Sequence, residues 1–66
     1  MRVFVRPVQS LQLALDIVRT ATPLAFRGGE VVGGKAVVLV QPYGVKKALM
    51  ALQRAGIEAE PKVPPA

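Results

Sequence analysis

The chain has 66 residues, 52% of them hydrophobic, and nine Lys and Arg against four acids give it a net charge of +5. It contains no His and no Cys, which excludes disulfides, thiolate ligands, a thiol nucleophile and the commonest general base and metal ligand. A domain of this size buries only about 60% of the surface its unfolded chain exposes, so association with another subunit is the stabiliser left to it.

Residues 1–6, MRVFVR, alternate with period two and predict a strand that Pro7 ends. Val3 and Val5 face one way; Arg2, Phe4 and Arg6 face the other. Residues 10–21 predict a helix, with Ser10 as N-cap. Leu11, Ala14, Leu15, Val18 and Ala21 recur at helical spacing, and Leu13 and Ile17 widen the apolar face. The bias of the residue before Pro23 against helix stops it there.

Residues 24–32 and 35–41 predict two strands joined at Gly33-Gly34, a glycine pair suited to a two-residue hairpin turn. In a regular ladder from that turn, Val38 and Val40 in the core would bring Arg27 inside and leave Phe26 outside. One extra residue reverses the parity. A bulge at Gly28-Gly29 is therefore expected, returning Leu24 and Phe26 to the core and Arg27 to solvent.

Residues 45–55 predict a second helix. Val45, Ala48, Leu49, Leu52 and Ala55 form its buried stripe, and Gly56 stands as a left-handed C-cap with Ile57 touching Leu52. Residues 57–60 alternate again and predict a last strand. Its glutamates, Glu58 and Glu60, would face outward beside Arg2 and Arg6. Pro61, Pro64 and Pro65 confine that strand to an edge and make 61–66 a proline-rich tail.

The order β-α-β-β-α-β predicts an α+β, ferredoxin-like fold over residues 1–60, with one antiparallel sheet and both helices on one face. The stretch from Gly29 also spells G-x-x-x-x-G-K, one residue short of a phosphate loop. Ala36 stands where the hydroxyl would hold magnesium, and the residues after Lys35 predict a strand rather than a helix. The glycines are read as structural.

Among functional classes an enzyme ranks last. The acids, Asp16, Glu30, Glu58 and Glu60, form no evident pair for acid-base work, and no cofactor or metal is expected. No apolar run, 36–40 among them, is long enough to span a bilayer. With no export signal visible, a cytoplasmic location is the default. Phe4, Val37 and Leu39 on the open face, with Met50 on the second helix, are candidate contacts of a homo-oligomer, a dimer or higher. The alternative is a single-stranded nucleic-acid-binding protein using Arg2, Phe4, Arg6 and Lys35. Since the basic residues are dispersed and the third strand has no aromatic, the interface reading leads.

Two stretches, RVFVRPVQSLQLALDIV and YGVKKALMALQRAGIEAE, resemble ACT domains, small βαββαβ modules that bind amino acids and regulate enzymes. The resemblance implies pairing through sheets or helices, and a small-molecule ligand at the subunit interface near residues 7–10. Val8 stands where such domains often carry glycine. Gln9 and Ser10 would donate to the ligand, although Ser10 reads first as a helix cap.

Overall fold

The hairpin between residues 32 and 35 organises the sheet. In the computed structural model, which describes residues 1–62, Gly33 and Gly34 both have positive φ, 57° and 76°. That is the conformation a tight two-residue turn requires and glycine adopts freely. In chain order the elements are β1 (Arg2–Arg6), a 3-10 turn (Val8–Ser10), α1 (Leu11–Ala21), β2 (Phe26–Val32), β3 (Lys35–Val40), a second 3-10 turn (Pro42–Gly44), α2 (Val45–Arg54) and β4 (Glu58–Lys62). The four strands form one antiparallel sheet in the order β2-β3-β1-β4. This is the α+β ferredoxin-like arrangement, with the last strand beside the first.

Alternation sorts the side chains onto two faces. Val3, Val5, Ala36, Val38 and Val40 point to one face and are almost wholly buried against Ala14 and Val18 of α1 and Val45, Ala48 and Leu52 of α2. The apolar stripes of both helices therefore lie on the same side of the sheet. α2 closes with two backbone bonds, Gly56 N–H to the Gln53 carbonyl and Ile57 N–H to the Leu52 carbonyl, each 3.0 Å. Gly56 takes φ 76°. This satisfies carbonyls the helix end would orphan and seats Ile57 in the core.

The bulge exists, one residue earlier than expected. Val32 pairs with Lys35, Glu30 with Val37 and Gly28 with Leu39, and then Phe26 pairs with Val40. The extra residue is Arg27, which is exposed, while Phe26 packs against the core. Gly28 absorbs the distortion with φ 110°. Gly29 serves a different purpose: a Cβ there would collide with Leu15, so the missing side chain lets α1 lie close to β2.

Other expectations are corrected. Leu24 is 80% exposed, and Ala25 is buried in its place. The reason is a compact turn around Thr22, whose carbonyl accepts the N–H groups of Ala25 and Phe26. Ala25 then lies so close to Gly44 that a Cβ there would collide with it. Leu24 lies beyond the strand, as β2 begins only at Phe26. Gln41 falls just outside β3, and Ala55 is the exposed C-cap of α2 rather than part of its buried stripe. Leu13 is 54% exposed, so α1 buries a narrower face than its apolar content suggests. Ser10 occupies the N-cap position, but its side chain makes no capping bond, since a 3-10 turn precedes the helix. β4 continues through Pro61 to Lys62. The rest of the proline-rich tail, 63–66, lies outside the described residues.

Replacing Leu52, which is fully buried, by Ala should lower stability by about 2–5 kcal/mol through lost burial and a residual cavity. Leu24→Ala should stay within about 0.5 kcal/mol of wild type. Urea denaturation of both variants checks the contrast.

Candidate functional site

The sheet face turned away from the helices carries Arg2, Phe4 and Arg6 from β1, Lys35, Val37 and Leu39 from β3, Glu30 and Val32 from β2, and Glu58, Glu60 and Lys62 from β4. The registers Phe4↔Val37, Phe4↔Glu60, Arg6↔Glu58 and Glu30↔Val37 place these side chains side by side. No helix covers this face, yet Val37 is 0% exposed and Phe4 and Leu39 are half-buried. Val37 is walled by its register partners Phe4 and Glu30. The Lys35 ammonium lies over the Phe4 ring, 5.9 Å from its centroid, within reach of a cation–π attraction. The open face thus covers its own apolar centre with charged and aromatic neighbours.

Arg6 sits 3.8 Å from both Glu58 and Glu60, and Lys62 reaches Glu60 at 3.2 Å. The outward glutamates therefore lie beside Arg6, as alternation predicts. Arg2 does not join them: its register partners are Leu39 and Lys62. The reason is register: β4 runs antiparallel to β1, places Glu60 opposite Phe4 and brings Lys62 rather than a carboxylate opposite Arg2.

At the end of this face, where β1 leaves and β3 enters, there is a cleft of about 280 Å³. Its side chains include Phe4, Arg6, Val8, Lys35, Glu60 and Lys62. The structure thus gathers three of the four residues considered for nucleic acid, Phe4, Arg6 and Lys35, and leaves Arg2 outside the lining. Of the loop residues Val8, Gln9 and Ser10, only Val8 reaches the cleft. Gln9 is exposed, and the Ser10 N–H donates to the Pro7 carbonyl. Among the oligomer candidates, Phe4, Val37 and Leu39 share the open face. Met50 is 47% exposed on α2, in the helical layer across the sheet.

The sequence pattern puts Glu60 at the margin of this face but does not single out Lys62 as a lining residue. The signal was there: the alternation Glu58, Glu60, Lys62 continues through Pro61, which is compatible with a strand at the sheet edge. A second group meets just before β2. Tyr43, 73% exposed, donates its hydroxyl to the Leu24 carbonyl at 3.0 Å, and Arg27 donates to the same carbonyl at 3.1 Å.

Among the described residues no three His, Cys, Asp or Glu side chains cluster as metal ligands would, and no helix is long and apolar enough to cross a membrane. Compared with protein-family models, curated proteins and solved structures, the chain matches none.

Because the side chains of Arg6, Glu58 and Glu60 are largely exposed, their pairing contributes little to stability. Arg6→Gln should cost no more than about 1 kcal/mol, and the difference should shrink in high salt. Chemical denaturation at two salt concentrations measures this; a larger, salt-insensitive loss would mean that Arg6 holds the sheet by other contacts.

Proposed function

We propose that this chain is a small, self-associating module of ACT-like type that takes a small ligand in a regulatory role and carries no catalytic centre of its own. The observation that carries the proposal is the contrast between the two edges of the sheet. β4, at one edge, contains Pro61, which has no N–H to donate, and is flanked by Glu58, Glu60 and Lys62. Natural sheets use such features to refuse an incoming strand. β2, at the other edge, is seven residues long and has neither proline nor lysine. Its last two residues, Val31 and Val32, are 57% and 42% exposed.

In an antiparallel ladder every second residue aims its backbone groups away from its partner strand. β2 therefore presents unpaired donors and acceptors along its outer side, next to exposed valines. The Arg27 bulge limits a straight pairing segment to residues 28–32. A second copy offers a strand of matching length and polarity. The self-covered open face offers less apolar surface for stacking than its composition suggests, so the β2 edge is favoured over Phe4 and Leu39.

Nucleic-acid binding stands second, supported by Lys35 over the Phe4 ring and Arg6 in the same cleft. A base-stacking surface uses more than one aromatic, and Phe4 is alone on this face.

Gel filtration with light scattering should give the wild-type chain a mass of two or more copies. Val31→Lys, which places a charge on the open edge, should give a single copy with an unchanged circular dichroism spectrum. The double variant Phe4→Asp, Leu39→Asp should remain associated. If the double variant dissociates and Val31→Lys does not, the interface is the open face. A wild-type monomer that binds single-stranded DNA with steep salt dependence would favour the second reading.

A further inference from the structure

We infer that the cleft beside Phe4 binds a small organic anion with a flat apolar body, an aryl carboxylate or aryl phosphate in chemical class, with Lys35 as its anion contact. The inference deepens the ligand part of the proposed function and does not depend on self-association, because every lining residue belongs to one copy.

The charges of the cleft do not balance. Its lining holds three cations, Arg6, Lys35 and Lys62, and one carboxylate, Glu60. Glu60 already approaches two of them, Arg6 at 3.8 Å and Lys62 at 3.2 Å, and Arg6 also approaches Glu58. Among the described residues Lys35 makes no ion pair; its ammonium rests over the Phe4 ring. A cation held over an aromatic face and lacking a carboxylate is a ready contact for an incoming anion.

The rest of the lining selects the body of the ligand. Phe4 presents a half-buried ring and Val8 a 41% exposed side chain. These are two apolar surfaces, and the ammonium lies 5.9 Å from the centre of the first. Aromatic rings pack well by offset stacking or edge to face, so a flat ring suits the Phe4 side. The volume, about 280 Å³, lies below the roughly 300–1,000 Å³ of pockets that enclose drug-sized molecules, which fits a one-ring metabolite. A long polyanion fits less well: strands running across this face would pass the carboxylates of Glu30, Glu58 and Glu60.

The test uses the full chain, labelled with ¹⁵N, and four probes: 3-phenylpropionate, phenyl phosphate, 3-phenylpropylamine and inorganic phosphate. A single-stranded oligonucleotide is a fifth arm. Either aryl anion should shift the amides of Phe4, Val8 and Lys35 saturably, and the tighter of the two identifies the head group. The amine, which has the same ring and the opposite charge, should leave them unmoved. Inorganic phosphate should bind at least about tenfold more weakly, since it has no apolar body.

Lys35→Gln should weaken aryl-anion binding about tenfold, the loss of one charge-assisted contact. Lys35→Arg should retain it, and Lys46→Gln on α2 should leave it unchanged. Unchanged thermal unfolding of the exposed Lys35 variants shows that the fold is intact. Equal binding of the amine, or no effect of Lys35→Gln, overturns the inference. Tighter binding of the oligonucleotide at the same amides replaces it with the nucleic-acid reading. The titration is repeated on Val31→Lys: if that variant is monomeric and still binds, both readings stand. If the wild type is a monomer that binds, self-association alone fails. Binding lost together with association overturns the one-copy cleft.

Discussion

The register of β2 on β3 is the constraint from which the remaining packing follows. Two glycines of positive φ leave Val32 and Lys35 directly opposed, and side-chain parity along the whole hairpin is then set. Continued without interruption, that parity would push a guanidinium toward the helices and a phenyl ring into water. Burying an unpaired charge costs far more than distorting one strand. Arg27 is therefore squeezed out as an extra residue, with Gly28 adopting the backbone it requires. Gly29, next along, lets α1 approach the same strand. The glycines that resemble a phosphate loop thus act as turn, bulge and close-approach point.

The inner strands β1 and β3 show what the fold does with too much apolar sequence. Helices cover one face only, so Val37 and Leu39 must be sheltered by other means. The solution is lateral: Phe4 and Glu30 wall in Val37, and Lys35 leans over Phe4. Charged side chains with long aliphatic stems are suited to this, since they cover apolar surface while keeping the charge wet. The basic character of this face is therefore partly structural. The same arrangement collects cations around a ring at the end of the sheet, which makes the cleft chemically distinct from its surroundings.

Much of this was legible in the residues. Alternation in MRVFVR and KAVVLV separated core from open face, and the Gly56-Ile57 pair announced the end of α2. Side-chain parity requires a bulge in β2, although it does not name the residue. The exceptions share a physical origin. Leu24 looked like a core residue because it lies two positions before Phe26, but hydrogen bonds around Thr22 curl the chain before the strand begins. Ser10 had the chemistry of a cap, yet a preceding 3-10 turn leaves its side chain without a capping bond. Pro61 looks like the start of an irregular tail, whereas at a sheet edge a missing N–H that faces outward costs nothing. The cleft was the least legible feature, because it joins β1, β3 and β4 through long-range register and is written in no contiguous segment.

The unequal edges of the sheet also bear on growth. A strand-pairing surface repeated on both sides of a molecule adds subunits without end, the geometry of a fibre. Here Pro61 and its charged neighbours close one side. Two copies joined through β2 would use up both open sides and present a proline-bearing strand at each outer boundary. The arrangement favours a closed pair over a filament, so a chain rich in valine and short of internal burial keeps a route to association that terminates itself.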